Sequence, residues 1–402
     1  MIDICAVILD FNRKREAERL AMKYHNMTTS PFVFLRATCH LFYARLAAAA
    51  KLAPVPLTWC MGDLHLENFG SYKADNRLAY FDLNDFDEAV LAPLNWELLR
   101  LLTSIQVAAD SMAVSAPEAR ELAEEFLLHY RQILSQGKAY WIERETAQGL
   151  VRNLLSELKF RQRSDFLDRR SYFENGQRRL RIDGKKALAV SAKQAAKVTR
   201  FLKAFALTQS DKKFFKPLDI ARRVAGNGSL GVERYIILVH GKGGTNGNYL
   251  LDLKQALPSS LIPFLDTPQP QWKSEAERVV TIQKRMQAMS MAFLQDVQID
   301  GQSYLLRALQ PAEDRINLDS SASSYADLKQ AIGVMGIVVA SAQLRSAGRS
   351  GSANADALIA HAADQSWSKP LLKRSRECAK QVQEDWKTYC KAYQRGDFSL
   401  PS

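Results

Sequence analysis

The spacing of apolar positions changes period along this chain, and the change divides it. From Asn12 to about Lys51 apolar residues recur at helical spacing, with a break at Thr28-Thr-Ser-Pro31, where Ser30 is placed to cap a second helix and Pro31 to open it. The short apolar run Pro54 to Met61 predicts a strand feeding the polar loop Gly62-Asp-Leu-His-Leu-Glu-Asn-Phe-Gly70. Arg77 to Asp82 predicts a second strand that ends in the acidic loop Asp82-Leu-Asn-Asp-Phe-Asp-Glu88. After Pro93-Leu-Asn-Trp96 a helix is expected to about Ser111, and another from Ser115, with Ser115 and Glu118 spaced as a capping box. The following stretch reads as mostly helical, with a hairpin at Tyr172 to Gly176 whose Asn175-Gly176 pair is a two-residue turn signal.

From Leu218 the period shortens to that of strands. One strand runs into Gly226-Asn-Gly-Ser-Leu-Gly231, a second covers Val232 to His240, and after a turn from Gly241 to Gly247 a third covers Asn248 to Lys254. An amphipathic helix is expected from about Trp272 to Leu294, then two strands near Phe293 to Ile299 and Ser303 to Gln310 around the turn Asp300-Gly301, the last ended by Pro311. From about Ser324 the pattern is helical again, apart from a loop at Ser346 to Ser352. This is an α+β chain: a β-rich unit at 217–311 between helical blocks at 1–216 and 312–402.

Composition narrows the class. With 402 residues, 47% apolar and 24% charged, the chain is globular and long enough for two substantial cores. The net charge of +12 is concentrated in residues 151–216, which carry 18 Lys and Arg against 6 Asp and Glu. Such a segment is either a solvated set of helix faces or a surface for phosphate-bearing partners: nucleotides, nucleic acid or an acidic substrate. Nucleic acid fits less well, because only Tyr172 and Phe173 are at hand for stacking. The five cysteines are scattered singly, which disfavours a disulfide framework and a zinc site. The apolar opening Met1 to Leu9 contains Asp3 and is too short to span a bilayer, so a cytoplasmic protein with no membrane partner is expected.

Two constellations carry chemistry. In Gly62-Asp63-Leu-His65-Leu-Glu-Asn68 an Asp and an Asn stand five residues apart on one loop, as phosphoryl transfer requires: Asp63 for the acceptor hydroxyl and Asn68 for magnesium. Asp82 at the end of the next strand is the expected second metal carboxylate, with Asp85 as a further metal partner. His65 either orients Asp63, contacts the acceptor or is a satisfied loop histidine. The spacing D-x-H-x-x-N resembles the catalytic loop of aminoglycoside phosphotransferases. The second constellation is Gly226-x-Gly228-Ser229-x-Gly231, followed by a strand rather than by the helix a dinucleotide fold needs, with Lys254 two strands on. It reads as a loop over ATP phosphates and a phosphate-binding lysine, oriented by Glu277 or, second, Glu275. Arg36 is expected to pair with a carboxylate such as Asp85 or Asp87, and Trp96 to Arg100 to serve packing, with a structural contact from Glu97. Because Asp63 precedes Gly226, a kinase-like two-lobe fold demands permuted lobe order, the helices after Ser324 completing the large lobe.

Pro31-Phe-Val-Phe-Leu-Arg36, Leu41-Phe-Tyr43, Gly62 to Gly70, Phe81 to Ala89, Gly228 to Gly231, Leu253 to Ala256 and Arg278-Val-Val280 together resemble the bacterial family of domain of unknown function 2252 over roughly Pro31 to Gln310. Ala37, Ala225-Gly226-Asn227 and Thr281 depart from its pattern, the last where an acidic residue is expected after Lys254. The resemblance implies a kinase-like fold with an unidentified acceptor. The expected activity is ATP- and Mg²⁺-dependent phosphotransfer to a hydroxyl, on a small molecule rather than a protein. Nucleotidyl transfer on the same fold, a non-catalytic nucleotide-binding regulator, and a nucleic-acid-binding protein acting through 151–216 are the alternatives.

Overall fold

The structure, a computed structural model, describes residues 2–49, 52–244, 246–310, 315–318 and 323–399; Pro311, expected to end a strand, lies outside them. Helix α1 (Ile4–Asn12) starts earlier than the apolar spacing suggested, because the Asp3 carboxylate accepts the amides of Cys5 and Ala6. A turn separates it from α2 (Ala17–Asn26). Then α3 (Pro31–Ala37) begins as expected, Ser30 Oγ accepting the Val33 amide and Pro31 in the first turn, and α4 (Cys39–Ala47) follows after a bend at Thr38.

Strand β1 (Leu57–Cys60) pairs antiparallel with β4 (Val90–Pro93), while β2 (Phe69–Lys73) and β3 (Ala79–Leu83) form a hairpin between them. The polar loop therefore leaves β1 and enters β2, and the acidic loop leaves β3 and enters β4. Helix α5 (Leu94–Val107) is buried nearly all round, and α6 (Ala116–Gln136) carries the Ser115–Glu118 capping box and ends at Gly137 in the left-handed region.

Helices α7 (Gly149–Phe160) and α8 (Arg163–Asp168) precede the hairpin β5 (Ser171–Glu174) and β6 (Gln177–Leu180), whose turn residues Asn175 and Gly176 both have positive φ, 49° and 74°. Next come β7 (Ala187–Leu188), α9 (Ala192–Leu207), β8 (Pro217–Arg223), β9 (Arg234–Val239), β10 (Tyr249–Gln255), α10 (Glu275–Met286), β11 (Gln295–Ile299) and β12 (Gln302–Ala308). These strands make one antiparallel sheet in the order β11-β12-β10-β9-β8-β7. Because β7 pairs with β8, and because Val198, Leu202 and Phe205 of α9 pack on Tyr235, Ile237, Leu251 and Leu306, the sheet unit starts well before residue 217. The α10 helix is also shorter than the expected 272–294: Ser274 caps it and it ends at Gln287.

The remaining helices, α11 (Tyr325–Ser346), α12 (Ala355–Ala363) and α13 (Ser368–Gln394), return to the helical part, α11 on α6 and α13 on α5. Gly336 permits the first approach, since a Cβ there would lie 2.5 Å from the Phe126 carbonyl oxygen. The chain is thus a mixed α+β fold. Among the described residues no helix is long and apolar enough to cross a membrane, and all five cysteines are free thiols.

Candidate functional site

The polar loop after β1 is splinted by side chains from two buried helices. Met61 and Gly62 donate their amides to Glu97 Oε1, and Tyr43 donates to the Gly62 carbonyl at 2.6 Å. Arg100, one turn after Glu97 and itself buried, donates Nε to Asp63 Oδ1 at 2.7 Å and Nη2 to the Leu35 carbonyl at 3.0 Å. Gly62 sits at φ 86°, and a Cβ there would meet the Glu88 carbonyl at 2.2 Å, so only glycine lets the two polar loops touch. Burial pushes the Asp63 carboxyl up to about 6 against the pull of Arg100, and burial takes Glu97 up to about 7.

Asn68 closes the loop by donating Nδ2 to the Asp63 carbonyl at 2.7 Å. His65 lines the cavity beside Asp63: its Nδ1 accepts the Glu67 amide at 3.2 Å, and burial, aided by Arg36 and Arg100, holds it well below the usual imidazole range, hence neutral. Arg36 pairs with Glu67 at 2.8 Å rather than with Asp85 or Asp87, and Arg315 shares the same carboxylate at 3.0 Å.

The glycine loop between β8 and β9 lies over Asp63. A Cβ on Gly228 would come 3.2 Å from the Arg36 carbonyl and 3.8 Å from Asp63 Oδ2, and Gly226 and Gly231 have φ of 74° and 85°. The turn between α1 and α2 pins this loop. Arg15 donates to the carbonyls of Gly228 and Leu230 at 2.5 and 2.8 Å, Lys23 to Gly228 at 3.3 Å, and the Glu16 amide to Gly231 at 2.9 Å. Ser229 Oγ turns back to the Ala225 carbonyl. Burial lowers Arg15 to about 10 and takes Lys23 well below its ordinary value.

Between the loops is a cavity of 570 Å³, walled by Asp63, Asn68, Asp85, Asp87 and Glu88 on one side and the glycine loop on the other. Two expected residues stand elsewhere. Asp82 does not face this cavity: it is buried in β3, takes Arg345 of α11 at 3.0 Å and accepts the amides of Leu83 and Ala288, so its carboxylate is spent on packing. Three residues on, beyond the strand, Asp85 reaches the cavity, and Lys254 with Arg307, Arg234 and Arg315 outweighs burial to hold it below the usual carboxylate range.

Glu277 is not beside Lys254 either. It is at the start of α10, where its amide is taken by Ser274 Oγ and its carboxylate by the Lys273 amide, while Glu275 pairs with Arg278. Lys254 Nζ instead binds Asp87, with Asp85 Oδ1 at 3.9 Å. What α10 contributes is Arg278, which donates to the carbonyls of Asp87, Ala89 and Leu257 and so fixes the acidic loop through its backbone. Among the described residues no three His, Cys, Asp or Glu side chains form a group able to hold a metal by themselves.

Asp87, Glu88, Arg100, Arg15 and Lys23 were not assigned to this site from the sequence. One signal was legible: Glu97 and Arg100, a turn apart on a helix otherwise nearly all apolar, are charges that burial would force to find partners. For Arg15 and Lys23 no local pattern points to a loop more than 200 residues away. Searches of curated proteins and of solved structures return no match to this chain. Residues 15–392 match the family described as uncharacterised protein conserved in bacteria (DUF2252), and the chain belongs to that family.

Proposed function

We propose that the chain is a magnesium-dependent phosphotransferase that passes the γ-phosphoryl group of ATP to a hydroxyl-bearing acceptor, a small molecule rather than a protein. The observation that carries this reading is the meeting of Asp63, Asn68 and Asp85 with the glycine loop across one 570 Å³ cavity. The order of the sheet supports it: strand, glycine loop, strand, strand with Lys254, helix, two strands, in the spatial order β8-β9-β10-β12-β11 expected of a kinase small lobe. The polar loops come from earlier in the chain, which is the permuted order this reading needs.

Arg100 occupies Asp63 Oδ1, and Oδ2 faces Gly228. As the acceptor oxygen attacks the γ-phosphorus, its proton passes to Oδ2, the new O–P bond forms, the bond to the β,γ-bridging oxygen breaks, and ADP leaves. A carboxyl near 6 is suited to this task at neutral pH. Asn68 gives its Nδ2 to the loop, which leaves Oδ1 to a cation, and Asp85, held ionised, is the second ligand. Two protein ligands suffice, because magnesium ordinarily keeps waters and takes the rest from phosphates. When bound, magnesium supplies neutralisation of the phosphate oxygens. Lys254 is the cation placed to exchange Asp87 for phosphate, and the glycine loop, resting over Asp63, must lift to admit substrates.

The test is thermal unfolding with and without ATP and Mg²⁺, beside transfer from γ-labelled ATP to a panel of hydroxyl acceptors. Wild type should be stabilised by a few kcal/mol at about 100 times the dissociation constant. Asp85→Asn and Lys254→Ala should weaken binding about tenfold or more, whereas Asp82→Asn should lower stability and leave affinity alone. Asp63→Asn should bind ATP yet lose about 10²–10⁴ in transfer rate, and the wild-type rate should fall as pH drops below about 6, where Asp63 takes up a proton. A folded wild type that no nucleotide stabilises, or ATP binding indifferent to Asp85→Asn, would overturn the proposal.

A further inference from the structure

A second cavity, 320 Å³, opens on the other side of the glycine loop, under the sheet and beside the end of β12. Its size is within the range of about 300–1,000 Å³ usual for small-molecule sites. Its chemistry is unlike the first. Nine of its 21 lining residues are Arg or Lys and two are Asp. Three of the arginines, Arg223 of β8, Arg234 of β9 and Arg307 of β12, project from the sheet onto one buried carboxylate, Asp252, at 2.8, 2.6 and 3.3 Å. Arg36 and Arg315 share Glu67. Leaving Arg170 aside, the other eight cations face four carboxylates, Asp252, Glu67, Asp85 and Asp183, and Asp183 spends its Oδ1 on the amides of Lys185, Lys186 and Ala187.

Burial makes that excess costly. Arg223 is pulled down to about 9 by burial, despite Asp252, with Arg234 and Arg307 adding to the fall. Its Nη1 is paired with Asp252 but at poor hydrogen-bond geometry, and Arg36 Nε is buried with no hydrogen-bond acceptor. A buried donor without an acceptor is ordinarily satisfied by something. An anion with several oxygens would supply the missing acceptors and the missing charge together, since guanidinium groups bind phosphate oxygens two at a time.

The pocket does not suit a flat aromatic base. The apolar part of the same sheet face, Ile236, Leu238 and Leu250 with Leu309, is already covered by Leu167 and Leu180 of the basic segment, which are 1% and 2% exposed. What remains open is the charged part, and the segment that fills the apolar part also brings Arg169, Arg170, Arg181 and Lys186 to the rim. This gives the excess charge of residues 151–216 a place in the fold: part of it walls a pocket rather than spreading over an open face.

We infer that this cavity is an oligophosphate-binding site, taking a run of two or three linked phosphates. Arg36, Asp85, Gly226 and Asn227 line both cavities, so an oligophosphate here borders the carboxylate cluster. The inference goes beyond the transfer reaction proposed above and does not depend on it. The ligand is either free inorganic oligophosphate or the phosphate tail of a nucleotide; the chemistry is shared.

The experiment is calorimetric titration of inorganic tripolyphosphate, ATP and adenosine at fixed ionic strength into wild type and the double variant Arg181→Glu/Lys186→Glu. Both side chains are exposed, so the double variant should keep the wild-type melting temperature. Tripolyphosphate should bind wild type and lose about tenfold or more in the double variant, while adenosine should not bind this pocket. ATP binding no tighter than tripolyphosphate points to free oligophosphate. ATP binding at least about tenfold tighter, with the same loss in the double variant, points to a nucleotide tail. No binding of tripolyphosphate, or binding that the double variant leaves unchanged, would overturn the site. Tripolyphosphate binding without any transfer from ATP would sink the phosphotransfer reading alone.

Discussion

The two walls that flank the glycine loop, one in each cavity, carry opposite charge and are held by opposite means. On the helical side four acidic side chains, Asp63, Asp85, Asp87 and Glu88, stand on loops whose backbones are tied down by Glu97, Arg278 and Tyr43, and each loop is fixed at several points. On the sheet side three arginines stand on strands that need no splint, and one carboxylate, Asp252, answers all of them. Arg234 even faces Lys254 directly across the β9–β10 pair, an arrangement of like charges that is destabilising unless carboxylates intervene, as Asp252 and Asp87 do here. The acidic wall distributes its constraints, and the basic wall concentrates them in one residue.

The comparison can be broken most sharply at that residue. Asp252→Ala leaves Arg223, Arg234 and Arg307 buried without their counter-charge, and removal of one partner from a buried ionic cluster costs about 3–5 kcal/mol. Urea unfolding should register that loss, and tripolyphosphate should restore more stability to the variant than to wild type. A variant as stable as wild type would show that the arginines do not need the carboxylate.

The acidic wall should respond to pH instead. The Glu97 carboxyl is raised to about 7, above its value near 4.3 in an unfolded chain, so the folded protein keeps this proton where the unfolded chain has lost it. Its contribution therefore falls as pH rises from about 4.3 to 7, by about 4 kcal/mol for a shift of this size. Glu97→Gln should flatten that part of the stability–pH curve relative to wild type; an unchanged slope would mean that Glu97 is ionised throughout. The smallest effect belongs to Glu277. Its contacts are those of a helix start, so Glu277→Ala should cost about 1 kcal/mol or less and leave ATP affinity unaltered. A tenfold loss of affinity would restore it as the partner of Lys254 in a closed form.

Local chemistry was legible where it was local. Ser30 with Pro31, Ser115 with Glu118, the Asn175-Gly176 turn and the strand–glycine loop–strand pattern are decided by residues within a few positions of one another, and each stands where its sequence put it. The choice between Asp82 and Asp85 was not of that kind. Both are carboxylates near the end of β3, and the one that turns inward is fixed by Arg345, 263 positions away. Likewise Lys254 could be placed on its strand, but its partner came from an acidic loop 167 positions back, while the acidic residues at the start of α10 are taken by Lys273 and Arg278.

The sequence by itself determined the elements, the α+β class, the two polar loops and the glycine loop, since periodicity, caps and turns are short-range properties of the backbone. Only the tertiary structure decided which charges meet: the acidic cluster with Lys254, the arginines with Asp252, and the basic segment against the sheet. Pairing between charges depends on distance in space and on how much water burial removes, and neither is written in the spacing along a chain.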